Sequence, residues 1–390
     1  MQHVPFYDFK TLQSQRPIDS IIQKVSQLIK DYSLIEGPYN QKFEAEFAKY
    51  LEAKHCLLVA NGTDALEIAL QVNGIGPQDL VGVPAVTYHA TAEAVVNIGA
   101  KVVLIDIIPQ TGLMDPESLR RVLKTKKLKA IMPVHLYGMP VEMEEIEQIA
   151  LEFGIKIVED AAQAHGALVG NKKVGNSNNI VTFSFYPTKN LGAFGDAGAM
   201  IFPNNSNGLE MYEQAKMIRN HGRVGTKIIG FGRNSRCDHI QACILDALLP
   251  EVDVQKKLRS EIAIQYYKLL QNNPHLNLMP ARAIEESSWH LFPILFKTPG
   301  IKKYMMEQLH HFGVEVANHY DQCLADLPAL SNKLSSSDEF KAARVFCDQV
   351  ICLPNFPTMT KSQVEYVCQT LEKVLEKNNS IPKRVYEQNL

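Results

Sequence analysis

Between residues 55 and 202, short and almost continuously apolar runs alternate with helix-like segments. Continuous hydrophobicity over five to seven positions is what a strand buried on both faces requires, so the pattern predicts βα units around a mainly parallel sheet. The predicted strands are CLLVA (56–60), LVGVPAV (80–86), KVVLIDI (101–107), AIMPVHL (130–136), IKIVEDA (155–161), IVTFSF (180–185) and GAMIF (198–202). Helix starts lie between them: Thr63-Asp64 before ALEIALQV, Asp115-Pro116-Glu117 before SLRRVLK, and a charged amphipathic run from Val141 to Phe153.

After about residue 250 the pattern changes. A long polar helix is predicted over VQKKLRSEIAIQYYKLLQ, then a strand over SWHLFPILF (288–296) and further mixed segments. The expected division is therefore an N-terminal arm or helix over residues 1–34, a large α/β domain over 35–250 and a small C-terminal α+β domain over 251–390. The polar tail from Asn378 is expected to fray.

Composition removes several classes of function. The chain of 390 residues carries 40 Lys+Arg against 42 Asp+Glu, a net charge of −2, so no broad basic field marks it for nucleic acid. Apolar residues at 46% and charged residues at 21% are the mixture of an ordinary globular enzyme. The seven cysteines show no CxxC pair and no zinc-ligand rhythm, and are read as reduced, mostly buried thiols. No stretch reads as a signal peptide or membrane span, so a cytoplasmic protein is expected.

Three features carry the chemistry, all at strand ends on the sheet edge where open α/β sheets bind ligands. In VANGTDAL (59–66), Asn61-Gly62-Thr63 turns a strand directly into a helix, and free N–H groups at a helix start suit a phosphate; a plain capped turn is the competing reading. In IVEDAAQAHGA (157–167), Glu159 and Asp160 end an apolar strand; Asp160 could hold a cationic ring nitrogen or a metal, or else cap a helix beside a solvated Glu159. In TFSFYPTKNLGAFGDAGAM (182–200), Lys189 follows an aromatic strand and precedes a glycine-rich turn, a setting suited to a depressed pKa and Schiff-base chemistry. Together a phosphate turn, a strand-end Asp and a later strand-end Lys are the parts of a pyridoxal phosphate site.

These residues resemble a known family. ANGTDAL, PAVTYHATAEAV, PVHLYG, VEDAAQAHGA, SFYPTKNLGAFGDAGA, IRNHG, NSRCDHIQA and LPNFPTMT stand in the order and near the spacing of the DegT/StrS family of pyridoxal-phosphate-dependent sugar aminotransferases, over nearly the whole chain. The resemblance implies the aspartate aminotransferase fold (type I), pyridoxal phosphate as cofactor, and transfer of an amino group from L-glutamate to a keto nucleotide-sugar. The product would be an amino or deoxyamino sugar for a surface polysaccharide or a glycosylated metabolite.

At matching positions it implies that Lys189 bonds the cofactor and Asp160 pairs with its pyridinium nitrogen. Tyr88 falls where a ring stacks on the cofactor, Gln163 where a side chain contacts its 3′-hydroxyl, and Gly62, Thr63 and Ser184 where the phosphate binds. Asn234 matches a residue that reaches the phosphate of the neighbouring subunit, which implies a homodimer with shared sites. His319 and Tyr320 fall at a His-Tyr pair near the substrate entrance; a core strand end is the alternative.

Two departures stand out: Asn61 where Ser is frequent, and Gly195-Asp196-Ala197-Gly198 where GEGG is frequent. Relatives with His at the lysine position are dehydratases, whereas this chain keeps Lys189, which favours transamination. Within the family, the ANGTDAL and GD-x-G turns look more like those of members that aminate C3 than of members that aminate C4, so the resemblance implies a 3-keto over a 4-keto sugar. A sugar dehydratase and a non-catalytic, cofactor-binding regulatory protein remain as alternatives. His310-His311, Trp289-His290 and His319-Tyr320 lack partners at ligand spacing, so no metal is expected. Residues His221 to Arg233, with four glycines and three basic side chains, are either a mobile loop for a nucleotide diphosphate or a surface hairpin.

Overall fold

Seven strands form the large sheet in the computed structural model, which describes residues 2–14, 16–331 and 340–379. They are β1 (Cys56–Val59), β2 (Leu80–Pro84), β3 (Lys101–Ile105), β4 (Ala130–Ile131), β5 (Lys156–Asp160), β6 (Ile180–Ser184) and β7 (Gly198–Ile201), in the order β1-β7-β6-β5-β4-β2-β3. The block from β3 to β6 is parallel, and β7 runs antiparallel to both its neighbours. Parallel neighbours need a crossover, usually a helix, but an antiparallel pair does not. Between β6 and β7 the chain simply turns back, and Lys189 lies in that return.

Local chemistry sets the helix starts. Asn61 caps the helix Gly62–Val72, its side chain accepting the Asp64 N–H at 2.8 Å. Asp115 accepts the N–H groups of Glu117 and Ser118, both at 3.1 Å, and Pro116 opens the helix Pro116–Leu123 where its missing N–H costs nothing. The amphipathic helix begins two residues later than its apolar pattern, at Met143, and ends on Gly154 in the left-handed conformation.

The predicted strand 130–136 is cut to two residues. Pro133 has no N–H to give to a ladder, and only an isolated bridge from Val134 to Asp160 continues the pairing. The chain then leaves the sheet at Tyr137, whose φ of 62° is left-handed. The strand predicted over 288–296 likewise shrinks to Phe292–Phe296, because Trp289 has a φ of 49°.

That strand is the centre of a three-stranded antiparallel sheet with Leu276–Leu278 and Val350–Leu353, backed by the helices Val252–Leu270 and Lys361–Asn379. The N-terminal segment forms helices Phe9–Ser14 and Ile18–Lys30, and Val4 makes a parallel bridge to Val314. A second apolar cluster packs under the helix Pro38–Tyr50, where Phe47 meets Phe183 and Phe185 edge-on at 5.2 and 5.4 Å. All seven cysteines are free and buried. Among the described residues no helix is long and apolar enough to cross a membrane. Of the tail expected to fray, residues 380–390 lie outside the described residues.

Candidate active site

A cavity of about 670 Å3 opens at the carboxyl ends of β1, β2, β5 and β6. The fold brings Gly62, Thr63 and Ser184 to one part of its lining, with Asp160, Gln163 and Lys189 in the same cavity. Tyr88, His319 and Tyr320 also line it, so the predicted site residues meet with one exception. Asn234 is exposed on a bridge to Asn220, away from this lining.

Lys189 is held by a tight return. Its N–H bonds the Tyr186 carbonyl at 2.8 Å, and a Cβ on Gly192 would come within 2.6 Å of the Pro187 carbonyl oxygen. The next residue, Asn190, anchors the turn by donating to the Ser288 carbonyl at 2.8 Å. Burial pushes the Lys189 ammonium down to about 8, against the opposing pull of Asp160. Two further basic groups nearby are kept neutral. Burial, with Lys189 adding to it, takes His165 to about 3 and His290 well below the ordinary imidazole value.

Asp160 is the last residue of β5. It accepts the Thr91 hydroxyl at 2.9 Å on Oδ2 and the Ala162 N–H at 3.1 Å on Oδ1. Burial raises its pKa, while those two bonds and Lys189 resist the rise. A carboxylate in this position has lone pairs left for a protonated ring nitrogen. Its neighbour corrects one expectation: Glu159 is 2% exposed rather than solvated. It points to the other face of the sheet, where it accepts from His135 at 3.1 Å, Asn179 at 2.9 Å and the Ser177 hydroxyl. Burial lifts its pKa, but these donors outweigh burial and hold it below the ordinary carboxylate value.

The glycine cradle is close-fitting. A Cβ on Gly62 would stand 2.8 Å from the Cβ of Ser184, and one on Gly198 would stand 2.5 Å from the Asn61 carbonyl carbon. The Asp64 and Ala65 N–H groups are taken by Asn61, and the first N–H groups of the helix, those of Gly62 and Thr63, belong to residues that line the cavity. Tyr88, 52% exposed, lies with its ring 6.2 Å from that of Tyr320. Gln163 is tied at both ends: its Oε1 accepts the Tyr137 N–H at 2.6 Å and its Nε2 donates to the Tyr320 hydroxyl at 3.0 Å.

The sequence reading gave no role in this site to Thr91 and His290, which line the cavity, or to Tyr137, which bonds Gln163 from outside the lining. Thr91 and Tyr137 fall within the PAVTYHATAEAV and PVHLYG stretches, and the Thr91 hydroxyl lies 3.0 Å from that of Thr87. The segment His221 to Arg233 forms a hairpin, Arg223–Val224 against Lys227–Ile228, on the surface. Of its basic groups Arg233 is engaged, bound to Asp64 at 3.1 Å and to Glu67. His310 and His311 end the helix Lys302–His311, and among the described residues no group of three His, Cys, Asp or Glu stands ready for a metal ion.

A buried lysine with a lowered pKa, a buried aspartate and a glycine-lined helix start on one cavity fit pyridoxal phosphate, and the volume leaves room for a substrate beside it. Fold and site define a pyridoxal-phosphate-dependent aminotransferase. The chain belongs to the DegT/DnrJ/EryC1/StrS aminotransferase family, whose model matches residues 16–372. It is 34% identical to a pleiotropic regulatory protein of Geobacillus stearothermophilus, over 96% of this chain and 98% of that one. It is 33% identical to the dTDP-3-amino-3,4,6-trideoxy-alpha-D-glucose transaminase of Streptomyces venezuelae, over 96% and 97%. The crystal structure of NtdA from Bacillus subtilis with bound cofactor PMP matches with a TM-score of 0.87 at 30% identity, over 96% of this chain and 86% of that one.

Proposed function

We propose that this protein moves an amino group from L-glutamate to the keto carbon of a nucleotide-linked sugar, a 3-keto sugar in preference to a 4-keto one, in the cytoplasm. The observation that carries the reading is Lys189, buried with a pKa near 8 on the same cavity as Asp160. The Streptomyces venezuelae relative, named for a 3-amino sugar, supports the C3 preference. Glutamate rests on the family resemblance alone.

Pyridoxal phosphate, when bound, supplies an electron sink for the charge left at a reacting carbon. The chain's own groups do the rest. Asp160 keeps the ring nitrogen protonated by offering it a buried carboxylate. Gly62, Thr63 and Ser184 hold the phosphate, Tyr88 covers a face of the ring and Gln163 orients its hydroxyl. The Lys189 amine, neutral in a large fraction near pH 8, takes a proton from the α-carbon of the donor and returns one to the carbon that receives the amine. His319 and Tyr320, on the cavity lining, contact the sugar.

The active unit is a homodimer on this reading. Among the described lining residues Lys189 is the only Lys or Arg, so the acidic groups of a nucleotide-sugar need cations from elsewhere. The exposed hairpin with Arg223 and Lys227, and the exposed Asn234 beyond it, could supply a second copy's cavity.

The test loads the protein with pyridoxamine phosphate and presents 3-keto and 4-keto nucleotide-sugars. Return of the pyridoxal absorbance with a 3-keto sugar supports the reading; return only with simple 2-oxo acids makes the protein an amino-acid aminotransferase. The regulatory relative keeps a second reading in view. A cofactor that binds and is never converted, by amino acid or by sugar, would select the regulatory protein instead.

A further inference from the structure

Tyr137 lies outside the cavity lining, 1% exposed, yet each of its three polar groups bonds a different segment of the site's frame. Its N–H donates to Gln163 Oε1 at 2.6 Å, its carbonyl accepts the Leu291 N–H at 3.2 Å, and its hydroxyl donates to the His319 carbonyl at 2.5 Å. Its backbone is left-handed, which a residue with a large side chain keeps only when the surroundings hold it there. Gly138 completes the joint: a Cβ there would meet Ser288 Oγ at 2.5 Å, and Ser288 in turn donates to the Gln163 carbonyl at 3.2 Å.

These bonds fix a direction. A backbone N–H can only donate, so the Gln163 amide must turn its oxygen to Tyr137 and its NH2 group to Tyr320. The Tyr320 oxygen is thereby used as an acceptor, and its own hydrogen is left to donate into the cavity that it lines. Burial raises the Tyr320 pKa, which keeps that hydrogen in place at working pH. The Tyr137 phenol also secures the segment that carries Tyr320, through the His319 carbonyl.

We propose that Tyr137 is a positioning residue for the acceptor half of the reaction: it sets the direction in which Tyr320 presents its O–H to the oxygen of the carbonyl substrate. The proposal rests on reading the cavity as an aminotransferase site, and it holds for whichever carbonyl acceptor the enzyme uses. The two bonds from Tyr137 act together, one through Gln163 and one through His319.

The test uses Tyr137→Phe, which keeps the ring and the backbone bond to Gln163, with Tyr320→Phe and the double variant, on the cofactor-loaded enzyme. KM for the best carbonyl acceptor of the wild type should rise about tenfold in Tyr137→Phe, the loss expected for one hydrogen bond holding a reacting group, while KM for the amino donor, which has no carbonyl oxygen at its reacting carbon, changes less than twofold. The double variant should be no worse than Tyr320→Phe alone. An equal rise in KM for the amino donor, or additive losses in the double variant, overturns the proposal. If Tyr137→Phe does not fold, Gln163→Glu serves: it keeps an acceptor for the Tyr137 N–H but has no N–H for Tyr320, so that the tyrosine's hydrogen is drawn to the new carboxylate. The acceptor KM must again rise, and an unchanged acceptor KM overturns the proposal. A wild type that accepts 2-oxo acids and no keto sugar would refute the sugar reading while leaving this comparison intact.

Discussion

Thr91 donates a 2.9 Å hydrogen bond to Oδ2 of Asp160, joining the helix Ala90–Asn97 to the end of β5 at the floor of the cavity. The bond offsets part of the penalty for burying a carboxylate and favours the ionised Asp160 that the proposed function sets against a ring nitrogen. A hydrogen bond to a charged group contributes about 1.5–3 kcal/mol. Thr91→Val keeps the shape and removes the donor, so cofactor affinity should fall by about tenfold or more. Absorbance titration of the apoprotein with pyridoxal phosphate measures it, and unchanged affinity would show that Asp160 does not depend on Thr91.

Lys189 gives a pH dependence with a definite sign. In the folded apoprotein it loses its proton near 8 instead of the ordinary 10.5. Between those values the unfolded chain binds the extra proton, so the folded state gains stability as pH rises from 8 to 10.5. Denaturation of the apoprotein beside Lys189→Met should show that rise in the native chain and not in the variant. Parallel curves for the two proteins would refute the lowered pKa.

Glu159 and Asp160 are adjacent and serve different ends. Glu159→Leu leaves the His135 Nε2 without its buried acceptor, while the Asn179 amide keeps Glu147, and should cost about 1–3 kcal/mol of stability, read from chemical denaturation. Asp160→Asn should leave the fold largely intact and cut turnover by orders of magnitude, because the lost group is the one aimed into the cavity. Exchange of the two outcomes would mean that the wrong carboxylate has been given the ring nitrogen.

Much of this was legible in the sequence because it follows from short-range rules. The strand ends at Asp160 and Ser184, the capped turn at Asn61 and the lysine in the return after β6 are each fixed by a run of apolar residues and its terminator. The AIMPVHL run overstates its strand because hydrophobicity persists past Pro133, whose missing N–H ends the ladder. Glu159 was legible as a residue but not as a buried one, since its partners His135, Ser177 and Asn179 come from separate segments. The joint at Tyr137 is invisible for the same reason: its bonds reach Gln163, Leu291 and His319, up to 182 residues away.

Gly62 should tolerate no side chain. Gly62→Ala places a Cβ 2.8 Å from that of Ser184, and the helix start must shift away from the phosphate position. Strain of this kind costs about 1–3 kcal/mol. Binding of pyridoxal phosphate should weaken by at least tenfold while binding of pyridoxal, which lacks the phosphate, changes little; equal weakening of both would remove Gly62 from the phosphate subsite.

The central claim is that Lys189 carries the cofactor. Borohydride reduction of the yellow, cofactor-loaded protein, followed by peptide mass mapping, tests it most directly. The account predicts loss of the visible absorbance and a single reduced pyridoxyl group on Lys189, absent from Lys189→Ala. A pyridoxyl group on any other lysine, or a colour that resists reduction, would contradict it.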